Sequence, residues 1–149
     1  MTSAKLAEQI RAAMNAARKA RDQAHTLLYS TLLSDIANRQ IELGRDLGDP
    51  DVVEVVRRGI KRRRESVEQF RAGGRMDLAD REAAEIAALE GFLPPAVPEE
   101  EIRAAVRAAI AGGARDLGAV MGKVMPGFRG RADGKDINRL VREELATPE

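Results

Sequence analysis

The sequence predicts an all-α protein, and three observations carry that expectation. Apolar residues recur at three- and four-residue spacing, no stretch alternates apolar and polar residues between hairpin signals, and glycine or proline punctuates the periodic stretches at helix length. Composition agrees: 44% of the residues are hydrophobic, many of them alanine, 33% are charged, and the aromatics are Tyr29, Phe70, Phe92 and Phe128. Such a mixture favours helices over strands. At 149 residues the chain fits one domain or two small ones, and it can bury roughly two-thirds of the surface its unfolded form exposes.

The first helix is predicted over 3–21, with Leu6, Ile10, Met14 and Ala17 on one side and Thr2 or Ser3 as N-cap. The second, about 25–43, carries Leu28, Leu32, Ile36 and Leu43, and Gly44 is its stop. The third opens at Asp49–Pro50, read as a capping carboxylate followed by a proline whose missing N–H costs nothing in the first turn. Its seam runs Val53, Val56, Ile60, Val67, Phe70, with Arg63 where a core residue is expected. Gly73–Gly74 end it, and a fourth helix follows over about 77–92 with Ala79, Ala83, Ile86 and Leu93 on one face.

Then comes FLPPAVPEEEI. Pro94, Pro95 and Pro98 cannot continue a helix and hold the residues before them extended, so 94–98 is read as a stiff linker. The expected division is a four-helix N-terminal part, 1–93, and a small three-helix C-terminal part, 99–149. Glu99, Glu100 and Glu101 suit the positive end of the fifth helix, which carries Ile102, Val106 and Ile110 and stops at Gly112–Gly113. A short sixth helix is predicted over about 116–125, and a seventh over about 133–145 with Ile137, Leu140, Val141 and Leu145 inward.

Several chemistries find no residues. There is no cysteine, and His25 is the single histidine, which leaves no nucleophilic triad and no conventional metal cluster. No glycine cluster follows a strand, so nucleotide-binding loops are absent. The expectation is a chain with no catalytic residue, metal or cofactor. Lacking an N-terminal apolar targeting segment or an apolar run near the ~20 residues that span a bilayer, it is expected to be soluble, cytoplasmic and without a membrane partner.

Charge is where function is legible. The net charge is +1, but RRGIKRRR, Arg57 to Arg64, holds six cations in eight residues. On a helix Arg57, Lys61 and Arg64 share a side, either as a solvated face with ion pairs Lys61–Glu65 and Arg64–Glu68 or as a ridge tracking phosphates. MGKVMPGFRGRADGKDINRL, Met121 to Leu140, is read as a short loop between two apolar helical stretches, with Pro126, Gly127, Gly130 and Gly134 standing among Arg129, Arg131 and Lys135. It is either a plain helix–helix connection, with Gly118 and Gly122 permitting close helix approach, or an anion site beside a helix start capped by Asp133.

The stretches IELGRDL, IKRRRESVEQFRAGGRMDLADRE, EIAALEGFLP and DLGAVMGKVMPGFRGRADGKDINRLV carry a family resemblance. The chain resembles the small YqeY-like proteins of the GatB/YqeY family. Its C-terminal half is similar to the tail domain of the B subunit of the glutamine-dependent aspartyl/glutamyl-tRNA amidotransferase. That tail helps hold the tRNA body while amide transfer occurs in a separate catalytic domain. The resemblance implies a tRNA-binding module whose motif residues are Gly122, Lys123, Gly130, Arg131, Ala132 and Asn138.

The expected function is therefore a non-catalytic tRNA-binding adaptor. Its candidate RNA-binding residues are Lys123, Arg129, Gly130, Arg131, Lys135 and Asn138, with Arg57, Lys61 and Arg64 as a second group. An alternative is a protein-interaction module docking on a tRNA synthetase or amidotransferase. A third reading, a glutamine-dependent carbon–nitrogen ligase, lacks a visible nucleophile or ATP site.

Overall fold

The computed structural model describes residues 4–147 and is all-α, with seven helices and no strand among them. The chain divides into two compact units, Met1–Leu93 and Pro94–Glu149.

The N-terminal unit contains α1 (Lys5–Lys19), α2 (Gln23–Leu43), α3 (Asp49–Ala72) and α4 (Met76–Glu90). Its core gathers Ile10 of α1, Leu32 and Ile36 of α2, Val52, Val56 and Ile60 of α3 and Leu89 of α4. Thr2 and Ser3, expected to cap α1, lie outside the described residues. The cap that is visible comes from another helix: the Leu6 N–H donates to the Asp49 carboxylate at 3.0 Å. Asp49 is thus the first residue of α3 rather than its cap, which is Gly48. Asp51 takes the capping part, accepting the Gly48 N–H at 2.9 Å.

Two of the three chain reversals in this unit place glycine in the left-handed region, while the α1–α2 reversal places Arg21 there at φ 58°. Gly44 ends α2 at φ 66° and Gly74 lies between α3 and α4 at φ 73°, left-handed conformations that side chains resist. Of the face predicted for α4, Ala79 is fully buried and Ile86 packs partly on the core, as does Leu93 just beyond the helix, whereas Ala83 is exposed and Leu89, outside the predicted set, is fully buried. Leu89 lies opposite Gly59 of α3, where its Cδ1 is 3.9 Å from the position a Cβ would take.

Phe92 and Leu93 pack on the N-terminal core, and Val97 packs on the C-terminal one. The second unit holds α5 (Glu99–Ala111), α6 (Leu117–Phe128) and α7 (Gly134–Ala146) around Ile102, Val106, Val120, Val124, Phe128, Ile137, Leu140 and Val141. Here α6 outruns its expected end at Met125 and continues through Pro126. Val120, Val124 and Phe128 form one stripe at four-residue spacing, and burying Phe128 requires the extra turn. Proline lacks the N–H that would serve the Gly122 carbonyl, but Gly122 is exposed, so water can satisfy that oxygen.

Candidate nucleic-acid interface

The α6–α7 connection is a folded turn rather than an open loop. Gly130, buried and at φ 75°, follows the end of α6, and the Phe128 carbonyl accepts from the N–H groups of Arg131 and Ala132 at 2.8 and 3.1 Å. Asp133 caps α7: its carboxylate accepts the Lys135 N–H at 3.0 Å, and its carbonyl accepts those of Asp136 and Ile137, both at 3.1 Å. The first-turn N–H groups that would attract an external anion are therefore largely satisfied by Asp133.

Arg131 is fixed on three sides. It donates to the Gly127 carbonyl at 3.1 Å and to Glu101 at 2.8 Å, and its guanidinium lies 5.4 Å from the centre of the Phe128 ring. Lys123 and Lys135 are exposed, and among the described residues neither forms an ion pair. The Lys123 Nζ lies 4.0 Å from where a Cβ on Gly112 would stand, beside the carbonyl end of α5, where a cation is favoured. Arg129 is exposed at the C-terminal end of α6, and the half-buried Asn138 accepts from Arg142 at 2.7 Å.

Backbone along α6 is left bare. Among the described residues no atom lies within 4 Å of a Cβ built on Gly122 or Gly127, and Gly118 meets only the Asp116 carboxylate at 3.5 Å. The helix approach that the Gly118–Gly122 spacing would permit is not used within this unit.

On α3, three of the six RRGIKRRR cations hold neighbouring helices. Arg62 pairs with Asp35 of α2 at 3.1 Å, and Arg63 and Arg64 pair with Glu85 and Glu90 of α4, each at 3.1 Å. Arg64 thus reaches across to α4 instead of pairing with Glu68 along its own helix, and Arg63 sits on the α3–α4 seam with a carboxylate as its partner. Lys61 is exposed and unpaired among the described residues, so the expected Lys61–Glu65 pair is not formed. Arg57 is half-buried, and its Nε is buried without a hydrogen-bond partner among the described residues. Arg57, Lys61 and Arg64 therefore have three different environments.

A network that sequence spacing does not reveal binds α5 to α7. Arg103 bridges Glu143 and Glu144 at 2.5 and 3.1 Å, Arg107 reaches Glu144 at 3.1 Å, and Arg139 reaches Glu99 and Glu143 at 2.6 and 3.2 Å. Hydrogen bonds from Arg103 and then Arg139 hold the Glu143 carboxyl below its ordinary range, and those from Arg107 and Arg103 do the same for Glu144 against the opposing effect of burial. Depressed folded-state values mean a contribution present above the unfolded pKa and lost as pH falls through the folded ones. The difference in thermal midpoint between the native chain and E143Q/E144Q is therefore expected to be level from pH 7 to about 5 and to shrink below the ordinary glutamate value of 4.5. A circular-dichroism melting series checks it; a difference independent of pH contradicts the assignment.

Two small helical cores and a cation- and glycine-bearing turn define the class, a small all-α protein, and no helix among the described residues is long and apolar enough to cross a membrane. The chain belongs to the Yqey-like protein family, whose model matches residues 7–145. It is similar to "Altered inheritance of mitochondria protein 41, mitochondrial" of Pyrenophora tritici-repentis, at 35% identity over 101 residues, covering 64% of this chain and 56% of that one. The protein of the same name from Lachancea thermotolerans is 33% identical over 90 residues, 58% of this chain and 48% of its own. An uncharacterised protein of Schizosaccharomyces pombe is 46% identical over 46 residues, 31% of this chain and 37% of its own. The chain thus matches about half the length of these relatives, or less.

Proposed function

We propose that this chain is a non-catalytic helical adaptor that binds structured RNA, tRNA in particular, through phosphate contacts. The observation that carries the reading is the pair of exposed cations Lys123 and Lys135, free of ion pairs among the described residues, on the hairpin that contains the Arg131 turn. Bare backbone at Gly122 and Gly127 on the same hairpin lets a phosphate come close without a side chain in the way. Similarity of this stretch to an amidotransferase tail domain supports tRNA as the RNA. With four aromatics in the chain, and Tyr29 and Phe92 stacked edge to face on each other, stacking on unpaired bases has little to work with, which favours duplex shape and phosphates.

Salt titration of binding to total tRNA, beside duplex DNA of similar length, tests the proposal. The native chain is expected to prefer tRNA, with log affinity falling linearly with log salt. K123Q/K135Q is expected to flatten that slope by about 1.4 to 1.8, since each lost phosphate contact removes roughly 0.7 to 0.9. No preference for tRNA, or an unchanged slope in the variant, overturns the reading in favour of docking on a protein.

A further inference from the structure

The first turn of α5 carries three consecutive carboxylates, and each holds a different arginine of the same unit. Glu99 accepts from Arg139 at 2.6 Å, Glu100 from Arg107 at 2.9 Å, and Glu101 from Arg131 at 2.8 Å. Arg139 and Arg107 also meet carboxylates of α7, so their pairs belong to the network that joins α5 to α7. Arg131 differs. Glu101 is its one ion-pair partner among the described residues, and its other contacts, the Gly127 carbonyl and the Phe128 ring, orient the guanidinium without neutralising it.

Arg131 is 50% exposed and Glu101 48%. A pair so open to water and salt contributes little to the fold, yet it keeps a carboxylate at the position a phosphate oxygen must take to meet this guanidinium. We infer that Glu101 is an intramolecular phosphate mimic that screens Arg131, so that RNA must displace the carboxylate to engage the turn; this rests on the RNA-binding reading above. The exchange trades one anion for another and yields little by itself. A mononucleotide making that single contact gains almost nothing, whereas a polyanion that also reaches Lys123 and Lys135 repays the exchange. The carboxylate thereby selects for extended, multiply contacting phosphate arrays over isolated phosphates.

The test measures affinity of the full chain for total tRNA in four variants: Glu101→Gln, Glu100→Gln, and each of these combined with Arg131→Gln. Glu100→Gln makes the same charge change one residue away, at the partner of Arg107. Glu101→Gln is expected to tighten binding about two- to five-fold more than Glu100→Gln, and that excess is expected to vanish in the Arg131→Gln background. Equal effects of the two glutamine changes, or an excess that persists without Arg131, overturn the screen, since the carboxylate then acts only through net charge. If the native chain binds tRNA and K123Q/K135Q weakens it while Glu101→Gln matches Glu100→Gln, the RNA-binding reading stands and the screen falls. If neither the native chain nor any variant binds tRNA at low salt, both fall.

Discussion

Leu89→Ala is expected to remove about 2 to 5 kcal/mol from the stability of the N-terminal unit, toward the upper part of that range. Leu89 has no exposed surface and fills the space over Gly59, the one position of the α3 seam with no side chain to contribute. Truncation therefore leaves a cavity beside Gly59, where the nearest α3 side chains are the guanidinium ends of Arg63 and Arg62, charged groups held by Glu85 and Asp35 that fill an apolar gap poorly. Urea unfolding followed by circular dichroism is expected to show a lowered midpoint with little change in slope. Ala83→Ser, on the exposed side of the same helix, is the comparison and is expected to stay within about 0.5 kcal/mol of the native chain. A loss below about 1 kcal/mol for Leu89→Ala would mean that α4 can slide to refill the gap.

Leu89 also marks where sequence reasoning met its limit. Helix number and order were legible because the breakers are strong: Gly44, Gly73–Gly74, Pro94–Pro98 and Gly112–Gly113 all stand between helices. The inward face of α4 was legible only in part, Ala79 and Ile86 but not Leu89, because its alanines at 79, 83, 84, 87 and 88 give a helical wheel with little contrast. Likewise Pro126 reads as a stop, and only the need to bury Phe128 overrides it.

The charged residues show the same division. Spacing rules detect pairs three or four residues apart, and Arg139–Glu143 is such a pair. Arg64–Glu90 and Arg131–Glu101 join residues 26 and 30 apart, and no local pattern announces them. The opening stretch of α5 was legible as dipole-compensating acids, but not as the anionic partners of three arginines. Concentrations of positive charge read from the sequence alone thus overstated the cation free to meet a ligand. Lys61, Lys123 and Lys135 are lysines with no ion pair among the described residues, whereas Arg62, Arg63, Arg64, Arg131 and Arg139 are all engaged.

Asp51→Ala is expected to cost roughly 2 to 3 kcal/mol, from a lost helix cap together with a lost charge-assisted pair. Asp51 is 4% exposed; it accepts the Gly48 N–H at 2.9 Å and a two-pronged donation from Arg45 at 2.9 and 3.1 Å. Arg45 is 49% exposed at its side chain, so after the substitution its guanidinium can turn to water, which keeps the loss below that of stranding a buried charge. Asp49→Ala, two residues earlier, removes only the acceptor of the Leu6 N–H and is expected to cost about 1 kcal/mol. The sites of damage differ as well as the sizes. Amide hydrogen exchange is expected to quicken at Leu6 and Ala7 in Asp49→Ala, because α1 loses a cap that α3 supplies. In Asp51→Ala it is expected to quicken at Gly48 and the first turn of α3. Were Asp49→Ala to loosen the start of α3 and leave α1 protected, Asp49 would be the ordinary cap its place before a proline suggests, and the Leu6 bond would carry no weight in joining the two helices.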